Sequence, residues 1–353
     1  MQSPTANRLR PPFYLDDSLV GDIVIQPSYT RHIDAGTFFL HKDVLSRASP
    51  VLARLISGIT SVSVDEPTTV WKLLIPIFYS PKVPIDFVTN LKGSDGLLDI
   101  DLLRTLLDAG RKYEAPSISA SVADALMHEP AVVAKKAVGV YALACAFDCP
   151  DLARFAARHS LSTKLSFNFS PTEPSLEYMA RMSDYHRLLD HRRRCADAAR
   201  ETVHSSAPQI DQPYTGSNNI SSSTHFLRSN ASKRLWNAIT ILSGSNMNTI
   251  SYSTHLTTKC YDQGYSAHLH QSWWIALEDL HRDLEYQPTE DLVRSPSFTR
   301  KLLDGIMRCS GPMDASHANA VEVAEILIET VYVCLKEAID KCKGQDIRCT
   351  YCR

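Results

Sequence analysis

Few residues in this chain are of a type and spacing that could do chemistry. Cys349-Thr-Tyr-Cys352 sets two thiols either side of two residues, the spacing that lets one loop give two ligands to a tetrahedral zinc ion, and Cys342 lies shortly before them. A structural zinc site needs four ligands and usually shows a second matched pair. That pair is missing, and Cys260, His268, His270 or Cys309 would have to be recruited from far along the chain, so no metal is expected. Cys145-Ala-Phe-Asp-Cys149 has apolar neighbours and reads as a pair of buried packing thiols. His41 follows an apolar strand, with no carboxylate, cysteine or serine spaced to make it a catalytic base; it reads as a structural histidine bonded to a backbone carbonyl. The text holds no phosphate-binding loop, dinucleotide fingerprint, Gly-x-Ser-x-Gly elbow or zinc-protease helix. The expectation is a protein that is not an enzyme and takes no cofactor.

Charge narrows the partners. With 37 basic and 39 acidic side chains the net charge is -2, so no broad field gathers phosphates or acidic lipids, and neither direct nucleic-acid binding nor a membrane surface is expected. The one basic run, His191-Arg-Arg-Arg194, reads as a solvated helix face. Nine scattered cysteines, no apolar leader region and no apolar run near the ~20 residues that span a bilayer suit a reducing cytoplasmic or nuclear setting. Asp22 and Lys42 bracket a hairpin and bring opposite charges together. Such a pair either serves recognition or merely satisfies the fold.

Short elements must position these groups. Asp22-Ile-Val-Ile25 and Thr37-Phe-Phe-Leu40 read as strands, with Phe38 and Leu40 alternating against Phe39 and His41. His41-Lys42 then opens a helix, and Ser49-Pro50 a second, the hydroxyl as cap and the proline at the first helical position. Leu52, Leu55 and Ile56 are its apolar residues and candidate contact positions. Ser61–Val64 alternates as a short strand. A helix opens at Pro67-Thr68-Thr69 with Val70, Leu73, Leu74, Ile77 and Phe78 on one side, should kink at Pro76 and stops before Pro81. Another starts at Asp99-Ile-Asp101, carries Leu102, Leu103, Leu106, Leu107 and Tyr113, and ends at Ala115-Pro116; Ser117–Met127 follows as a further helix.

Beyond these, residues 131–200 are helical in pattern, with Val138–Phe147 apolar on nearly every side and so buried in a bundle. Residues 1–12 read as a disordered tail, and 205–232 as a Ser, Asn, Thr and Gly linker. Three helix candidates lie in 233–353: Lys233–Ser243, Ser272–Tyr286 with a Trp273, Leu277, Leu280, Leu284 stripe, and His317–Cys342. In the last, Val321, Ile328 and Leu335 fall seven apart, as do Ala324, Val331 and Ala338. That seam could meet a partner, or it could pack on the Trp273 helix.

The ordered set Phe13-Tyr14-Leu15-Asp16-Asp17, Asp22, His41-Lys42, Leu45-Ser46, Ser49-Pro50-Val51 and Ala109, Lys112-Tyr113 resembles the BTB (POZ) domain, in particular the fungal, basidiomycete-type BTB proteins. Val140–Phe147, Leu152–Leu161, Tyr185-His186 and His191–Cys195 are similar to the helical extension of those proteins, a counterpart of the BACK-type segment. The resemblance implies an α+β BTB domain over 13–128, a small sheet caged by helices, then an all-α BACK-like bundle over 129–204, with a C-terminal helical region over 233–353. It implies a protein-protein interaction scaffold whose partners are other proteins, with a homodimer and a cullin among the alternatives. Pro11-Pro12 leaves little room for the exchanged N-terminal helix of many BTB dimers. Leu52-Ala-Arg-Leu-Ile-Ser-Gly-Ile59 lacks the hydrophobic-x-Glu element of many cullin binders. Three readings stand: a binding scaffold, a substrate adaptor of a cullin-type ubiquitin ligase, and a transcriptional co-regulator acting through partners. Asp22, Lys42, Leu52, Leu55, Ile56, Val321, Ile328 and Leu335 are the candidate interaction residues.

Overall fold

The first hairpin pairs strand β2 (Ile23–Pro27) with β3 (Thr37–Leu40), Ile23 opposite Leu40 and Ile25 opposite Phe38. Side chains alternate across a strand, so this register sends those four residues to one face, and all four are buried. β4 (Ser61–Val64) joins parallel to β2 with Val62 opposite Ile25, adding Val62 and Val64 to that face while Ser61 and Ser63 point out. A two-residue strand β1 (Arg8–Leu9) lies parallel to β3, giving the sheet order β1-β3-β2-β4. The structure is a computed structural model and describes residues 8–9, 21–27, 37–80, 84, 86–163, 177–204, 255–260, 265–309 and 317–342. Phe13–Asp17, the 205–232 linker, the 233–243 helix candidate, Cys349 and Cys352 fall outside them.

The chain is mostly helical around this small sheet, an α+β arrangement, and forms two compact units. One comprises 1–160, 171–185 and 348–353, the other 161–170 and 186–347. In the first, α1 (Lys42–Ala48) and α2 (Pro50–Leu55) follow the hairpin, then come β4, α3 (Thr68–Tyr79), the single turn α4 (Phe87–Asn90), α5 (Ile100–Lys112), α6 (Pro116–Met127), α7 (Pro130–Lys135), α8 (Ala137–Ala146) and α9 (Pro150–His159). Local chemistry sets the boundaries. α2, α6, α7 and α9 each begin on a proline, where the missing N–H costs nothing and φ is already helical. Asp99 caps α5 by accepting from the Leu102 amide at 2.9 Å, and α3 runs through Pro76 to Tyr79.

Arg8 and Leu9 fall in the stretch expected to be a disordered tail. They pair instead with Thr37 and Phe38, because the outer edge of β3 offers backbone donors and acceptors that would otherwise have only water. Gly21 also has a strict steric role, since a Cβ there would come within 2.8 Å of the Phe39 and Leu40 backbone. The helix at 137–146 has every residue from Ala137 to Ala144 buried, and Gly139 lets it approach Ile100 closely. Ala153, Ala156 and Ala157 of α9 are buried as well, as an alanine-rich face packed on a neighbouring helix requires.

The second unit holds α10 (Met182–His204) from residue 186 on, a hairpin of β5 (His255–Cys260) and β6 (Tyr265–His270), α11 (Gln271–Tyr286), a 3-10 turn (Glu290–Arg294), α12 (Pro296–Cys309) and α13 (His317–Cys342). Its core joins Cys195, Ala199 and Val203 to Leu277, Leu280 and Leu284, Phe298 and Leu302, and Leu327, Val331, Leu335 and Ile339. The hairpin and α12 both depart from a region expected to hold helices at 233–243, 272–286 and 317–342 alone. β5 carries Thr257-Thr258, and neither strand has a continuous apolar run, so the strand signal is weak in isolation. α12 starts on Ser295-Pro296, the same cap signal as Ser49-Pro50, with Phe298 and Leu302 four apart facing inward.

Ser49 has a double role in the first unit. Its Oγ accepts from the Leu52 amide at 3.0 Å as the cap of α2, and donates to the Tyr113 carbonyl at the end of α5, all within a fully buried site. Ser49→Ala removes the cap and leaves a buried carbonyl unpaired, so urea unfolding should show a loss of about 2 to 3 kcal/mol. A loss below about 0.5 kcal/mol would show that the linkage does not hold the unit together.

Candidate functional site

The residues from Asp22 to Ile59 place most of the candidate contact positions. Asp22, at the start of the hairpin, does not meet the Lys42 ammonium; its Oδ1 accepts from the Lys42 backbone amide at 2.7 Å. That amide is one of the unpaired donors at the start of α1, and a carboxylate there also meets the positive end of the helix dipole. The expected charge pair is thus a helix cap supplied from another strand. His41 is held on both sides by Tyr79, whose hydroxyl accepts from the His41 amide at 2.8 Å and lies 3.1 Å from Nδ1. The tyrosine hydroxyl is thus a partner of His41 in the first unit.

α2 sorts its apolar residues by face. Leu52 and Ile56 are four apart and wholly buried, whereas Leu55 and Ile59 are also four apart and stand 42% and 37% exposed. The helix ends at Leu55 with Ile56 as its cap, and Gly58 takes a positive φ of 72° in the turn that follows, a conformation glycine adopts without a Cβ penalty. Arg54, Ser57 and Thr60 are exposed beside them. The result is two large apolar side chains rimmed by polar ones on the outer surface of the first unit.

A polar centre joins the end of β4 to the end of α5. Glu66 is buried and accepts from the Tyr113 hydroxyl through one oxygen, while the other takes Lys112 Nζ at 2.7 Å; Asp65 takes the same ammonium at 3.0 Å. Burial and the Glu66 carboxylate both push the Tyr113 phenol up, and it stays protonated as a donor. Burial works to lower the Lys112 pKa, but its bonds to Glu66 and Asp65 outweigh that and raise it. The Tyr113 ring also tilts against Trp71, centroids 5.8 Å apart. This arrangement ties Glu66, Tyr113, Lys112 and Asp65 to one another.

In the second unit the expected solvated basic face is overturned. His191 and Arg192 are 2% and 0% exposed, and only Arg193 of the run is well exposed. Arg192 donates through Nη2 to the carbonyls of Thr163 at 2.7 Å and Tyr286 at 2.9 Å, and Gln287 donates to Ser162 at 2.7 Å beside it. A guanidinium has donors enough to serve two chain ends at once, and Tyr286 closes α11 where carbonyls lack intrahelical partners. Burial, with Arg194 and Arg192 nearby, lowers the His191 pKa to about 4. Its ring lies 3.8 Å from the Cys195 sulfur, and burial together with the Cys342 thiol pushes Cys195 up to about 12.

Of the α13 seam, Val321 is 45% exposed, Ile328 half-buried and Leu335 fully buried. The buried line runs through Ala324, Leu327, Val331, Cys334, Leu335 and Ile339, so the Ala324 and Val331 positions and Leu335 are taken up by the unit's own core while Val321 stays outside it. Cys145 and Cys149 are half-buried rather than buried; burial and then Asp148 raise Cys149. Among the described residues no group of three or more His, Cys, Asp or Glu is placed to hold a metal ion, and no helix is long and apolar enough to cross a membrane. Comparison of the chain with protein-family models, with curated proteins and with solved structures returns no match.

Two measurements check the Arg192 centre. The unfolded chain's histidine takes a proton near pH 6.5, while folded His191 stays neutral to about 4. The unfolded state therefore binds more protons across that window, and stability falls as pH falls through it. Between about pH 7 and 4.5 the wild type should lose roughly 2 to 3 kcal/mol more than His191→Gln, read as the difference in pH slope of urea unfolding. Equal slopes would refute a buried neutral ring. Arg192→Met should cost about 3 kcal/mol or more, since two carbonyls lose their donor; a neutral substitution would mean that water reaches them.

Proposed function

We propose that this chain is a non-enzymatic protein-protein interaction module of the BTB type, with a BACK-like helical segment after its first domain. The observation that carries the reading is the exposure of two large apolar side chains, Leu55 at the end of α2 and Ile59 in the turn after it. The order of hairpin, two helices, strand and further helices over 22–127 supports it, as does the BTB-like set of His41-Lys42, Ser49-Pro50-Val51 and Lys112-Tyr113. Ser49, His41, Tyr113 and Lys112 of that set hold the first unit together, so the family pattern coincides with residues that build a scaffold.

Binding by such a surface draws on burial of apolar area at about 25 cal/mol per Å², concentrated in a few central side chains. Leu55 and Ile59 suit that role, with Arg54, Ser57 and Thr60 as a polar rim. Asp22 and Lys42 complete the start of α1. A cullin-adaptor role is a second reading, favoured by the position of the two exposed side chains inside the 43–80 segment through which such an adaptor would dock. Partner-mediated transcriptional regulation needs no further surface on this chain. Self-association is a third use of the same patch.

The full-length protein and a Leu55→Asp, Ile59→Asp variant separate these readings. Both side chains are surface groups, so the melting temperature should be unchanged, while affinity for a captured partner, a cullin N-terminal region or a second copy should fall at least about tenfold, by ~1.4 kcal/mol or more. Light scattering reads self-association and calorimetry reads the cullin. Unchanged affinity for every partner at unchanged fold would remove this surface from the proposal.

A further inference from the structure

The second unit brings together two thiols from opposite ends of its sequence. Cys195 lies in the middle of α10 with no exposure, inside the cluster formed by Ala199, Leu277, Leu335 and Ile339. Cys342 closes α13, is half-buried and packs against that same cluster. Its sulfur is 3.7 Å from the carbonyl of Arg194, the residue before Cys195, and the Cys342 thiol is near enough to push the Cys195 pKa up. Both are free.

We propose that Cys195 and Cys342 form a reversible disulfide when hydrogen peroxide, or a peroxide of that class, reaches the C-terminal end of α13. Exposure sets the order of events. The Cys342 thiolate attacks one peroxide oxygen, the O–O bond breaks, and Cys342 becomes a sulfenic acid while hydroxide leaves and is protonated to water. The Cys195 sulfur then attacks the sulfenyl sulfur, an S–S bond replaces the S–O bond, and the hydroxyl departs as a second water with the proton that Cys195 gives up. Two thiols are oxidised by two electrons and one peroxide is reduced to two waters. Cys195 is the resolving partner because burial keeps it protonated and out of reach of the oxidant, which makes the second step slow.

The consequence is mechanical. α13 contributes Leu327, Val331, Leu335 and Ile339 to the core, and α10 contributes Cys195, Ala199 and Val203. A covalent tie between them closes a long loop in the unfolded chain and so favours the folded unit. The bond would act as an oxidation-dependent lock on the second unit, distinct from any surface on the first.

The test uses the full chain, reduced, desalted and exposed to hydrogen peroxide. After acid quench, free thiols are blocked with N-ethylmaleimide in denaturant and the digest is mapped by mass spectrometry. The expected result is loss of most of the free Cys195 and Cys342 peptides, a linked peptide joining them that dithiothreitol dissolves, and a rise in melting temperature that Cys342→Ser and Cys342→Ala do not show. The wild-type map decides alone if a variant fails to fold. Free Cys195 and Cys342 after treatment, Cys342 joined to Cys349 or Cys352 instead, or Cys342 driven to sulfinic acid with Cys195 still free would each overturn the proposal.

Discussion

The first unit depends on a chain of hydrogen bonds that runs from Ser49 to Tyr113 to Glu66. Ser49 ends one helix and begins the next, and its hydroxyl fixes that corner to the last turn of α5 through the Tyr113 carbonyl. The Tyr113 phenol then reaches Glu66, which follows the edge strand β4, and Lys112 closes the circuit to Glu66 and Asp65. Sheet, α2, α3 and α5 are thereby fixed relative to one another by groups that are costly to bury unless all are paired. The Trp71 ring against Tyr113 supplies the apolar side of the same junction.

The same constraint sets the orientation of α2. α2 is only six residues long, and its orientation comes from its cap rather than from its own helix propensity. With Leu52 and Ile56 drawn into the core, Leu55 at the end of α2 and Ile59 in the turn beyond Gly58 are left outside it. Their exposure is therefore a consequence of the packing below and is available to a partner without a change of fold. Arg192 plays a comparable organising part in the second unit, where one guanidinium satisfies two carbonyls that belong to separate segments.

Much of the first unit was legible in the residues. The hairpin, the Ser49-Pro50 helix start, the alternation of Ser61–Val64, the cap at Asp99 and the buried helix around Val138–Ala146 all carry local signals, and each is in place. Less was legible where the partner is distant. Asp22 and Lys42 were visible as opposite charges, yet the contact is from carboxylate to backbone amide. His191-Arg-Arg-Arg194 resembled a solvated face because lysines and arginines usually are exposed, and nothing nearby announces the carbonyls of Thr163 and Tyr286. The 255–270 hairpin has no strong period of its own, and α12 announced itself only through a repeated Ser-Pro start.

The amino-acid order alone determined which segments could be helix or strand, because caps, prolines and side-chain periodicity act over a few residues. It also determined a nearly neutral chain with no recognisable catalytic text. Only the tertiary structure decided which apolar residues are spent in the core and which stand outside, Leu52 from Leu55 and Leu335 from Val321. It also decided that a buried arginine is bonded rather than stranded, and that Cys342 packs against the cluster that holds Cys195. Those outcomes rest on contacts between residues far apart in the chain, and no local pattern of spacing can encode which distant group will arrive.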